Sequence, residues 1–393
     1  MKKNQDLKEK LLKMLKEQNG VLFAKPAIVH RIMYSGRDII AKNSTFSKEY
    51  IDERGYVPVE WWIMSTTQAE NDTPKENEGL TEIKIGENTL LLKDALKIAE
   101  KELMGEYTHQ WPLTKILDIG GEPVKTSFGS EEAPPIPAHV HAGICRNGKM
   151  HGPGKLEAYF FPPIDVPPYH KNFGHVVTRL GIKPETTREE FKRSLQQFGK
   201  SDQMYTLLNV YEIKPYDGWT IRSGTVHAPG AWTTFEIQTP QDDFNLASWQ
   251  LGKRFSEAEI EEKRHELLLR GLKDEDDFVQ QAVDWKTSTH PQFKRNHYRP
   301  SQVIEEGSWG RRLQIFFDEF YGEAFEIQPG ETFTRKADER PFAGIVWSGE
   351  GMINGNAISA VKEKEFLVVP KREVEIKNKG DTILLVYTVF PIE

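Results

Sequence analysis

Pro137-Ala138-His139-Val140-His141 is the stretch on which the reading of this chain turns. In an extended segment alternate side chains project to one face, so His139 and His141 aim two imidazoles at a single point. Glu157 follows in Gly154-Lys155-Leu156-Glu157-Ala158-Tyr159-Phe160-Phe161, whose aromatic and apolar residues read as a strand. Such a strand does not bury a carboxylate without a partner. His227 lies in Ser223-Gly224-Thr225-Val226-His227-Ala228-Pro229-Gly230, a glycine-bounded turn into a short strand. Taken singly, each has an ordinary reading: a surface pair, an exposed carboxylate, a turn histidine. Together, three imidazoles and one carboxylate suit a borderline divalent cation, with room left for water or substrate. The combination predicts a metal held by His139, His141, Glu157 and His227 inside a small β-barrel.

The surrounding chain supports a β framework. Strand patterns recur at 111–119, 207–213, 219–221 and 232–239, and again after Trp309 at 327–332, 346–351, 366–370 and 383–387. Many short strands between glycine or proline turns favour a barrel or sandwich. The second group forms a shorter all-β unit with no histidine after His297, so no second metal of the same kind is expected there. Helices are expected at 5–18, 92–105 and 187–198, each from an apolar stripe at helical spacing or an N-cap such as Thr187. Residues 256–285 change character: they lack proline, are rich in Glu, Lys, Arg and Leu, and start a helix at Ser256.

Bulk properties narrow the function classes. The chain has 393 residues, enough for two domains, and a net charge of −7 with 28% charged residues. That balance offers no electrostatic footprint for nucleic acid. No apolar run approaches the length of a membrane span. The N-terminus runs into charges rather than an apolar core, unlike a secretory signal. The single cysteine, Cys145, excludes an intrachain disulfide and reads as a small packing residue. The expectation is a cytoplasmic protein with no nucleic-acid or membrane partner.

With these residues in place, the chain resembles the type I phosphomannose isomerases of the cupin superfamily. The resemblance rests on Trp111-Pro112-Leu113-Thr114-Lys115-Ile116-Leu117-Asp118, on Ala138-His139-Val140-His141 and on Gly154-Lys155-Leu156-Glu157-Ala158-Tyr159. Leu207-Leu208-Asn209, Ile213-Lys214-Pro215, Gly224-Thr225-Val226-His227-Ala228 and Gly349-Glu350-Gly351 continue it. It covers roughly 60–250 and, more loosely, 310–393. It implies a mainly β bicupin, two β-barrel or jelly-roll domains with a helical insertion. The division expected is a metal-binding domain at 1–250, a helical segment at 251–300 and a metal-free cupin at 301–393.

The resemblance implies a metal-dependent aldose–ketose isomerase acting on a small carbohydrate, with zinc the usual ion and Mn, Fe, Co or Ni also suited to the site. It assigns Lys155 to the active site; on a regular strand Lys155 would share the face of Glu157. It makes Glu236, in Phe235-Glu236-Ile237-Gln238, the candidate carboxylate base. Two family features are missing. The stretch 239–246 has no arginine, and Pro137 stands where the family has a phosphate-binding serine. Arg146, Lys149 and Arg222 are the candidate anion binders instead. Two other readings stay open: an oxygenase or epimerase of the same superfamily, and a non-catalytic sugar-binding cupin.

Overall fold

The computed structural model describes residues 2–37, 52–71, 73, 75–143, 152–163, 176–362 and 364–392. The strands Val57–Ile63, Leu113–Leu117, Glu157–Phe160 and Thr234–Gln238 lie in one six-stranded antiparallel sheet, bounded by Ala27–Arg31 and Gly218–Ile221. Register places Trp62 opposite Lys115, Lys115 opposite Glu236, and Glu236 opposite Tyr159. The two-residue period of a strand then separates two environments. Ile116, Ala158, Phe160, Phe235 and Ile237 face outward into an apolar core. Glu60, Lys115, Glu157, Tyr159 and Glu236 face inward onto a polar chamber.

A five-stranded antiparallel sheet closes the other side of that chamber. It runs Leu208–Glu212, Val177–Ile182, His227–Ala228, His139–Val140, Asn245–Leu246. The outward face of the six-stranded sheet packs against Leu313, Ile315 and Tyr387 of the second β unit. That unit is mainly a nine-stranded sheet faced by a four-stranded one. Its interior is apolar, filled by Phe325, Phe333, Phe366 and Val386 among others. The fold is thus mainly β, as expected.

Strand pairing does not follow chain order. Val21–Lys25 pairs with Glu365–Val368 and with Glu82–Ile85, so the larger sheet of the second unit draws on the first hundred residues. The Lys2–Glu17 helix packs Leu11 and Leu15 into the same core as Leu92, Ala95 and Leu103 of the Leu92–Met104 helix. Arg188–Leu195 starts from Thr187 through a reciprocal cap with Glu190. The segment after Ser256 forms the Glu257–Lys263 helix, which widens into a π-helical turn at Arg264–Leu268. Among the described residues no helix is long and apolar enough to cross a membrane.

Candidate metal centre

His139 and His227 come together because their strands pair residue to residue. The strand His139–Val140 is only two residues long, and His141 directly follows it; the two rings lie with centroids 4.8 Å apart. The His227 ring lies 4.1 Å from His139 and 5.1 Å from His141. One ligand nitrogen from each of the three falls within 4.8 Å of the others, and all three rings are buried.

Backbone carbonyls orient each ring. Nδ1 of His139 meets the Pro137 oxygen at 2.7 Å and Nδ1 of His227 meets that of Thr225 at 2.8 Å. Nδ1 of His141 meets the Asp243 carbonyl oxygen. A carbonyl only accepts, so each Nδ1 carries the proton and each Nε2 presents its lone pair, the arrangement metal-ligating histidines use.

Glu157 completes the cluster from the facing sheet. Its Oε1 is 2.9 Å from His227 Nε2 and its Oε2 is 3.3 Å from His141 Nε2. Nε2 of His141 and Nε2 of His227 are buried without a hydrogen-bond donor. Buried polar atoms are nearly always satisfied, so two orphan nitrogens converging beside a carboxylate fit a cation. His139, His141 and His227 form a group that can hold a metal ion, and the neighbouring carboxylate would supply negative charge. Burial holds the imidazoles of His139 and His141 below the ordinary histidine value; neighbouring imidazoles add to the effect at His139, and Lys155 does so at His141. Neutral imidazole is the ligating form.

Lys155 sits against the cluster, with Nζ 2.7 Å from Glu157 Oε2, 3.3 Å from Glu236 Oε1 and 3.0 Å from Gln238 Oε1. Burial disfavours its charge, but the Glu157 and Glu236 carboxylates outweigh that and push its pKa up. Lys155 is therefore an ammonium that donates, not a base. Glu236 behaves oppositely. Burial raises it to about 7 against the pull of Lys155. The Tyr159 hydroxyl donates to Glu157.

The structure does not bring every expected residue to this place. Arg222 is about half exposed, pairs with Glu319 at 2.9 Å and does not line the chamber. Its strand ends at Ile221, and the side chain turns to the surface, where a carboxylate takes it up. Cys145, Arg146 and Lys149 lie outside the described residues.

Among the described residues, five charged ones missed by sequence reasoning also line the chamber: Arg31, Glu60, Lys115, Asp242 and Asp243. Arg31 is 2% exposed. Its Nε donates to Glu60 at 2.8 Å and its Nη2 to both oxygens of Asp242 at 2.9 Å. Lys115 reaches Asp242 at 3.3 Å and sits 4.6 Å from the Trp62 ring centroid. Glu60 and Lys115 carried the same signal that exposed Glu157: a charge inside an apolar strand. The space enclosed by these walls is about 40 Å³, large enough for an ion or a water. A sugar ring needs room beyond it.

The fold and this cluster define a cupin-type β protein with a histidine site able to take a metal. No protein-family model matches the sequence, and no curated protein does. Solved structures do match. The mannose 6-phosphate isomerase of Bacillus subtilis superposes with a TM-score of 0.62 at 16% identity, over 94% of this chain and 99% of that one. A mutant phosphomannose isomerase from Salmonella typhimurium gives 0.59 at 11% identity, over 95% and 100%. The chain is phosphomannose isomerase-like in fold along almost its whole length.

Proposed function

We propose that this chain is a metal-dependent aldose–ketose isomerase of the mannose-6-phosphate isomerase type, acting on a sugar or sugar phosphate in the cytoplasm. The observation that carries it is one sheet face on which Glu157, Lys155 and Glu236 stand together beside the three-histidine group. The ligands in this reading are His139, His141, Glu157 and His227, and zinc is the ion best matched to them. A bound divalent ion would polarise the substrate carbonyl and orient the sugar.

The protein groups have complementary tasks. Glu236, poised near neutrality at about 7, takes the proton from C2 of the open-chain aldose. The electron pair of that C–H bond forms the C1–C2 double bond, and the carbonyl electrons move to O1, which takes up a proton. The same carboxyl then returns its proton to C1 while the C2 hydroxyl gives up its proton and becomes the ketone. Lys155 donates hydrogen bonds to the oxygens on which charge develops. Arg31 and Lys115 line the same chamber, each charge-paired with Glu60 and Asp242, and hold its wall in place behind the reacting groups.

The test is exchange of the C2 proton with deuterated water, for mannose 6-phosphate and for unphosphorylated mannose and lyxose, in protein reconstituted with Zn, Mn, Fe, Co or Ni. Exchange with any of these sugars supports the isomerase; none with all of them contradicts it. One observation favours a second reading. Residues 239–246 carry Asp242 and Asp243 and no arginine, as a sugar-binding cupin without turnover would allow. Saturable binding with no exchange under every metal would select it.

A further inference from the structure

We infer that the helical segment 257–288 is a clamp that holds both histidine-bearing strands in ligating position, so that metal loading and ordering of this segment are one equilibrium. The inference rests on the metal-centre reading and assigns Asn245 and Ser288 as positioning residues.

Two separate contacts carry it. The first reaches the His139–Val140 strand. That strand pairs with Asn245–Leu246, matching Asn245 to Val140 and Leu246 to His139. The Asn245 side chain is fully buried and points away from the ladder. Its Nδ2 donates to the Leu268 carbonyl at 3.1 Å and to the Arg270 carbonyl at 2.9 Å. Two acceptors fix the amide orientation, because only the nitrogen can meet both. These carbonyls lie at the end of the π-helical turn Arg264–Leu268 and just beyond it, where the helix leaves its last carbonyls without internal partners. A strand side chain thus completes a helix terminus.

The second contact reaches the turn before His227. Ser288, also fully buried, donates from Oγ to the Gly224 carbonyl at 3.3 Å and accepts from Val226 N–H at 3.4 Å. Asp284 N–H donates to the same Gly224 carbonyl at 2.8 Å. The approach is close enough to require glycine: at φ +75°, a Cβ on Gly224 would sit 2.9 Å from the Asp284 nitrogen. The same turn reaches the other ligand pair, since Gly224 N–H donates to the His141 carbonyl at 2.9 Å. Between the two contacts, Leu268, Phe278 and Ala282 share one apolar cluster with Val140 and Val226. His139 and His141 face the chamber; Val140, between them, faces the helices.

The test is hydrogen exchange on the full chain, zinc-loaded against chelator-stripped, together with zinc affinity of Asn245→Ala. Zinc should slow exchange of amides in 264–288 by about tenfold or more, and Asn245→Ala should weaken zinc binding by about tenfold. Zinc-loaded protein whose 264–288 amides exchange as fast as in the stripped form overturns the clamp and leaves the metal centre standing. A chain that takes up no zinc overturns the centre and the clamp together. The wild-type comparison decides even if Asn245→Ala fails to fold.

Discussion

Replacing Glu236 by glutamine isolates one step of the proposed chemistry. The side chain is 3% exposed and lies 3.3 Å from Lys155 Nζ. Glutamine keeps the shape and leaves an oxygen for Lys155, but cannot accept a proton. Loss of a positioned base costs about 100- to 10,000-fold, or about 3–5 kcal/mol in the barrier. Glu236 is not among the proposed ligands, so metal content should stay at the wild-type level. The pH dependence has a definite sign. With a value of about 7 in the folded protein, the basic form is scarce below neutrality, and the exchange rate should rise through pH 7 and then level off. The assay is C2-proton exchange of mannose 6-phosphate in deuterated buffer, with elemental analysis of the same samples. Glu236→Gln with undiminished exchange would refute its role as base. Loss of metal in that variant would show that Glu236 belongs to the cage instead.

Other consequences follow from the same geometry. Lys155→Met should retain the metal, or bind it more tightly, because it removes an ammonium 2.7 Å from Glu157; turnover should fall at least about 100-fold, as paired metal analysis and kinetics would show. Arg31→Met leaves Glu60 and Asp242 buried without their main partner and should cost about 3–5 kcal/mol in denaturant unfolding. Arg31→Lys, which keeps the charge but not the fork, should recover only part of that. Acid should destabilise the protein through Glu60, which burial would raise but Arg31 and Lys115 lower to about 2. Its depressed folded value means that the stabilisation is complete above the unfolded value near 4.5 and disappears as pH falls toward 2, a trend that thermal melts between pH 6 and 2 would follow.

How much of this was legible in the sequence depended on range. The spacing of His139 and His141 needed only strand geometry, and Glu157 stood out as a charge among Leu156, Ala158 and Tyr159. The Leu92–Met104 helix showed in a stripe that the structure buries. Arg31 did not show, because its meaning lies in Asp242, 211 residues away. Asp242 itself stood in the stretch 239–246, read only for the arginine it lacks. Arg222 had the right chemistry in a neighbouring strand, but no local pattern says where a side chain at a strand end turns, and Glu319 took it. Nor does hydropathy reveal that Val21–Lys25 joins the sheet of a unit beginning almost three hundred residues later. Partners so far apart are fixed by topology, which local periodicity does not encode.

The metal cage is most directly tested by anomalous diffraction at the zinc edge from zinc-loaded crystals, with stoichiometry measured in solution. The account predicts one ion per chain, with Nε2 of His139, His141 and His227 each at about 2.0–2.1 Å and a Glu157 oxygen beside them, and its loss in His141→Ala and Glu157→Ala. An ion bound elsewhere, or full stoichiometry in both variants, would contradict it.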